Sequence, residues 1–107
     1  MKKLILSTIV MLLPLLAGAE IIQSYGVMNP VLYYAFNTQT HECTVLRCPD
    51  GGAYNLDDYH QFIPELEVYG NQSYSVTILA THAFECCATN TLTIEAKLKS
   101  IGIGAFA

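Results

Sequence analysis

The N-terminal segment has the pattern of a removable leader, so it determines which part of the chain is expected to fold. Residues 1–20 read MKKLILSTIVMLLPLLAGAE, with a lysine pair, an apolar run over residues 4–16 and the small-residue motif Ala17-Gly18-Ala19. This is the three-part pattern of a cleaved secretory signal peptide. The apolar run is shorter than the roughly 20 residues that a helix needs to cross a bilayer. We therefore expect residues 1–19 to be removed and a soluble, secreted or periplasmic protein of residues 20–107 to remain.

The expected mature chain is acidic and has the length of a single small domain. Its cations are Arg47, Lys97 and Lys99, set against nine carboxylates, so its net charge is −6 with neutral histidines. A surface that binds DNA or RNA has to neutralise phosphates, and this balance argues against such a function. Anionic membrane surfaces would repel the same charge.

The spacing of apolar residues predicts an all-β domain. Residues 91–99 (TLTIEAKLK) alternate strictly between apolar and polar, and residues 73–80 (SYSVTILA) do so except at Leu79. Such alternation is typical of a strand with one buried face. Residues 31–38 are apolar on both faces, which predicts a central strand, and residues 43–48 predict a shorter one. An N-terminal strand after residue 20 and an edge strand in the apolar tail complete the set.

The connections favour a mostly antiparallel small sandwich or barrel. Residues 70–72 (GNQ) predict a hairpin, and a three-residue loop would place Val68 opposite Tyr74 on the buried face. The sequence also leaves room for one short helix near residues 56–62, where apolar side chains recur at intervals of three.

The cysteines, Cys43, Cys48, Cys86 and Cys87, are expected to form two disulfides that staple the domain. Export makes such bonds chemically permissible, and an even number of cysteines fits them. Adjacent residues such as Cys86 and Cys87 lie closer than the usual Cα separation across a disulfide. The remaining pairings are Cys43–Cys87 with Cys48–Cys86, and Cys43–Cys86 with Cys48–Cys87.

The competing hypothesis is a small periplasmic protein that binds copper or zinc. Its ligands would be His41, Cys43 and Cys48 together with His82, Cys86 and Cys87. Imidazole and thiolate groups suit zinc and Cu(I), although the spacings match no common zinc motif. A calcium site in the acidic segment at residues 50–58 is a weaker alternative, because the EF-hand spacing is absent.

The sequence contains no pattern that predicts catalysis. Glu65 and Glu67 are interpreted as a solvated strand face, and neither Ser73 nor Ser75 lies in a nucleophile-elbow motif. We therefore expect a protein that is not an enzyme and needs no cofactor.

The expected function is binding to another extracytoplasmic protein or to a surface polymer, and inhibition of a secreted hydrolase is one version of it. Tyrosine provides contact area at a low entropy cost, so the predicted binding surface contains Tyr33, Tyr34, Tyr69 and Tyr74. Dimerisation through an edge strand such as the apolar C-terminal tail is also open.

Overall fold

The computed structural model describes residues 20–87 and 91–107. This part of the chain forms eight strands and contains no helix. The strands are β1 (Ile21–Tyr25), β2 (Tyr33–Asn37), β3 (Glu42–Val45), β4 (Phe62–Ile63), β5 (Leu66–Tyr69), β6 (Gln72–Leu79), β7 (Thr93–Ile94) and β8 (Ser100–Ile101). The prediction of an all-β domain is thus confirmed.

Six of these strands form one curled, mixed sheet that resembles half a barrel. Its order is β1-β2-β3-β6-β5, and β8 also pairs with β6, beyond the end of β5. The pairs β1–β2, β2–β3 and β5–β6 are antiparallel, whereas β3–β6 and β6–β8 are parallel. Strands β4 and β7 form a separate parallel pair.

The core lies on one face of the large sheet. Strands β2, β3 and β6 each bury alternate side chains there, because successive residues of a strand point to opposite faces. The connecting segments supply the rest of the core. Its buried apolar residues are Leu32, Tyr34, Phe36, Cys43, Val45, Tyr54, Leu56, Ile63, Tyr74, Val76, Leu79, Ala83, Phe84 and Ala105.

The predominantly antiparallel topology is correct only in part. Residues 46–65 connect β3 to β5 and include β4. This connection supplies Tyr54, Leu56 and Ile63 to the core, and β6, which follows β5, lies parallel to β3. The helix proposed near residues 56–62 is wrong. The Asp57 carbonyl accepts a hydrogen bond from the His60 N–H, which closes a single turn, and β4 begins at Phe62.

The hairpin between β5 and β6 has a two-residue loop, so the predicted three-residue loop is wrong. Tyr69 pairs with Gln72, and Gly70 occupies the left-handed region at φ 61°. The observed register turns Glu67 inward opposite Tyr74 and turns Leu66 outward. The apolar pattern failed here because a buried carboxylate occupies a core position.

Residues 91–99 do not form the long strand that their alternation predicts. Only Thr93–Ile94 pairs as a strand, and the Lys99 N–H donates to the Thr77 carbonyl as the chain reaches β8. Leu92, Ala96 and Leu98 still pack against the core. Ile94, the remaining apolar residue of the pattern, is 45% exposed. The alternation therefore marks three of the four apolar side chains that pack on the core, and it does not mark a continuous ladder of hydrogen bonds.

The predicted signal peptide, residues 1–19, lies outside the described residues and stays a prediction. In the part of the chain that is described, no helix is long and apolar enough to cross a membrane.

Candidate interaction surface

Strand β1 is an open edge of the main sheet. It pairs with β2, and within residues 20–87 and 91–107 no strand pairs with its other side. The Glu20 carbonyl accepts from the Thr38 N–H at 3.0 Å, and the Gly26 N–H donates to the Leu32 carbonyl at 3.1 Å. Because backbone groups alternate in direction along an antiparallel strand, the even-numbered residues bond to β2. Ile21, Gln23 and Tyr25 therefore direct their N–H and C=O groups outward. We call these outward groups the β1 edge.

The β1 edge has none of the features that usually block strand pairing. Its sequence IIQSY contains no charge and no proline, and no irregularity interrupts its register with β2. Natural edge strands commonly carry such protection against unwanted pairing. Ile21 is 54% exposed and Tyr25 is 51% exposed, and Val27 and Met28 continue the apolar surface. The ring of Tyr25 packs edge-on against Tyr33 with 5.0 Å between centroids, which holds it in place.

A buried carboxylate fixes the loop that follows β1. Glu67 is completely buried, and its Oε1 accepts hydrogen bonds from the N–H groups of Val27 at 2.7 Å and Met28 at 2.9 Å. Its Oε2 accepts from the Asn29 N–H at 2.9 Å. Successive backbone N–H groups that point into one concavity form a natural anion site, and here the chain fills that site itself. Burial and the adjacent Glu67 charge raise the pKa of Tyr34, so its hydroxyl stays protonated.

Asn29 ties the same loop to β4. Its side chain is fully buried, and Nδ2 donates to the carbonyls of His60 at 3.1 Å and Phe62 at 2.7 Å. Its Oδ1 accepts from the Val31 N–H. With Glu67, Asn29 anchors the C-terminal end of β1 to two separate parts of the fold. Neither role is visible in the sequence, because both depend on segments more than 30 residues apart.

The four tyrosines of the predicted binding surface do not share one exposed face. Tyr34 and Tyr74 are core residues, Tyr33 is half-buried and Tyr69 is exposed at the end of β5. Phe36 packs between Tyr69 and Tyr74, with ring centroids 5.5 Å and 4.9 Å away. The exposed tyrosines that sequence reasoning missed are Tyr25, on the β1 edge, and Tyr59, in the turn before β4.

The predicted disulfides are not found, and all four cysteines are free thiols in the structure. The prediction required residues 86–87 to lie beside the segment 43–48. Strand β3 instead pairs with β2 on one side and with β6 on the other, and Cys48 lies beyond its end. Cys43 faces the core, and burial together with the Glu67 charge raises the pKa of its thiol to about 12. Cys48 donates to Asp50, Cys87 donates to the Tyr54 carbonyl, and Cys86 is exposed.

The alternative metal ligands are not brought together either. Over the described ranges there is no group of three or more His, Cys, Asp or Glu side chains arranged to hold an ion. His41 packs edge-on against Tyr74, and His82 lies 3.3 Å from the Glu85 carboxylate, which also pairs with Arg47.

The acidic residues of the calcium hypothesis have partners of their own. Asp50 accepts from Cys48 and from the Gly52 N–H, and these hydrogen bonds lower its pKa. The Asp57 carboxylate accepts a hydrogen bond from the His60 side chain, and this bond lowers the pKa of Asp57.

A polar depression of about 250 Å³ lies beside β3 and β6. Its lining is Glu42, Glu65, Ser75, Val76, Thr77, Lys97 and Lys99. Lys99 pairs with Glu42 at 2.6 Å and Lys97 with Glu65 at 3.3 Å. Small-molecule sites are generally larger, at roughly 300–1,000 Å³, and mostly apolar. With its charges already paired, this depression is a weaker candidate than the β1 edge.

Comparison with known proteins adds no relative to this description. No protein-family model, no curated protein and no solved structure matches the chain. The function therefore has to be argued from the geometry of the chain itself.

Proposed function

We propose that this is an exported, non-catalytic binding protein that recognises an extended segment of another extracytoplasmic polypeptide at the β1 edge. The observation that carries the proposal is an open edge strand with neither charge nor proline, bordered by exposed apolar side chains. Strand addition at a sheet edge is a common mode of peptide recognition, in which backbone hydrogen bonds supply affinity and side chains supply specificity. The predicted net charge of −6 favours a basic partner, such as a cationic hydrolase.

The experiment introduces a photoreactive phenylalanine derivative at position 25 and exposes the purified protein to the extracytoplasmic proteins of its own cells. We expect a crosslinked polypeptide at this position and none when the same probe replaces exposed Glu95, which follows β7. Gln23→Pro supplies the matched control, because it removes an outward N–H and leaves the hydrogen bonds to β2 in place. Crosslinking that is as strong in Gln23→Pro as in the parent would contradict recognition by strand pairing.

A further inference from the structure

The β1 edge is complementary to itself. If two copies of β1 run antiparallel about a two-fold axis at Gln23, Ile21 of each copy lies opposite Tyr25 of the other. The three residues whose backbone groups point outward, Ile21, Gln23 and Tyr25, then all occupy hydrogen-bonded positions of the new pair. Such a pair forms two hydrogen bonds at each of these positions, about six in total.

The side chains satisfy the same symmetry. The exposed side chains of Ile21 and Tyr25 meet across the axis as apolar pairs, and the two Gln23 amides lie side by side. On the inner face, half-buried Ile22 meets Ser24 of the second copy. No charged residue lies within β1, and Glu20 falls opposite Gly26 of the second copy. The buried Glu67 carboxylate lies beside Gly26, where the N–H groups of Val27, Met28 and Asn29 offset its charge. Charged residues farther from the strand lie at larger distances from their counterparts in the second copy, and salt screens the repulsion between them.

We infer that the β1 edge pairs with the β1 edge of a second copy of this chain, which forms a two-fold symmetric dimer with one sheet continuous across it. The inference rests on the proposed function, because both require the β1 edge to pair with an added strand. Here that strand is the β1 strand of a second copy. A pair of five-residue strands buries less area than a standard protein–protein interface. The dimer is therefore reversible and depends on concentration, and its formation competes with the binding of any other strand.

The test measures the molecular mass of the purified protein by sedimentation velocity at a series of increasing concentrations across the micromolar range. The parent protein should shift from monomer to dimer, and Gln23→Pro should remain monomeric. Gln23→Lys and Gln23→Glu each place like charges at the axis and should weaken the dimer about tenfold. An equimolar mixture of these two variants should restore the dimer, since only a two-fold axis at residue 23 opposes lysine to glutamate.

Circular dichroism and the melting temperature of each variant show whether it keeps its fold. A parent protein that remains monomeric, a Gln23→Pro variant that dimerises normally, or a charged mixture without recovery would overturn the inference. Assemblies larger than a dimer would also overturn it, because symmetric pairing of one edge closes at two copies. If the parent remains monomeric but Gln23→Pro still abolishes crosslinking to another polypeptide, only this inference fails and the proposed function stands.

Discussion

At the scale of single residues, Glu67 accepts hydrogen bonds from three backbone N–H groups that lie 38 to 40 residues away in the sequence. Its Oε1 also accepts from its neighbour Val68, so four backbone N–H groups depend on one carboxylate. Glu65, two residues earlier, has an exposed side chain and pairs with Lys97 at the surface. Two glutamates that are two residues apart thus have opposite roles, one at the surface and one in the core.

Replacing Glu67 by glutamine should lower the free energy of unfolding by about 3 kcal/mol, because an amide nitrogen would face a backbone donor in a buried site. Urea unfolding of Glu67→Gln and of the control Glu65→Gln measures this effect. The control should change stability by less than about 0.5 kcal/mol, since exposed ion pairs contribute little. Equal effects of the two substitutions would show that the buried network is not formed.

The Cys43 thiol links stability to alkaline pH. Burial and the Glu67 charge raise its pKa from 9.0 to about 12 in the folded protein. Because the unfolded chain loses this proton first, the stabilisation is complete below pH 9 and declines as pH rises towards 12. The expected loss is roughly 1.4 kcal/mol for each pH unit in this interval.

The variant Cys43→Val removes this titration and keeps a core side chain of similar size. We expect the unfolding free energy of the parent to fall more steeply above pH 9 than that of Cys43→Val. All other residues are the same in the two proteins, so the difference between their profiles reports on Cys43 and on its interaction with Tyr34. Parallel pH profiles would place Cys43 in contact with water.

At the scale of elements, the turn from β1 to β2 depends on the close approach of Gly26 to the Glu67 site. A Cβ atom at this position would overlap Glu67 Oε2 and would lie 2.5 Å from Tyr34 Cε2. Gly26→Ala should therefore cost about 3 kcal/mol or more in thermal or urea unfolding. Gly51→Ala is the control, because its Cβ would meet nothing within 4 Å. Its only cost, about 1–2 kcal/mol, comes from placing an alanine at a φ of +84°. A Gly26→Ala variant as stable as the control would mean that the loop moves freely away from Glu67.

Strand β6 shows that alternation in the sequence does not by itself fix which side chains of a strand face the core. Its register against β3 shifts between Cys43 and Thr44, so that Thr77 is the extra residue of a bulge. The bulge reverses the alternation, and Leu79 faces the core while Ile78 is only half-buried. From the sequence alone Leu79 is an apolar exception on the outer face. The structure explains the exception, because a bulge depends on the neighbouring strand.

At the scale of the whole molecule, the C-terminal tail closes the fold. Strand β8 pairs with Ile78 and Leu79, and the carbonyls of Ile103, Ala105 and Ala107 accept hydrogen bonds from residues 82–86. Phe106 stacks on Phe84 with 5.7 Å between ring centroids. The tail thus covers part of the edge of β6 and one end of the core.

Deletion of residues 100–107 should lower the melting temperature by at least about 10 °C, because several kcal/mol of pairing and burial are lost. It should also increase aggregation, since Ile78 and Leu79 at the end of β6 lose the strand that pairs with them. Differential scanning calorimetry and light scattering measure both effects. Ile103→Ala serves as the control, because that side chain is 84% exposed. An unchanged melting temperature after the deletion would show that the tail is only loosely attached.

The sequence by itself determined the all-β class, the approximate positions of β1, β2, β3 and β6, and the acidic charge. These properties are local or additive, because the alternation of side chains and the charge count do not depend on which segments meet. The tertiary structure alone decided that Glu67 faces inward, that β3 lies between β2 and β6, and that no other described strand pairs with the β1 edge. Each of these outcomes depends on pairing between distant segments, and residue spacing carries no information about such partners.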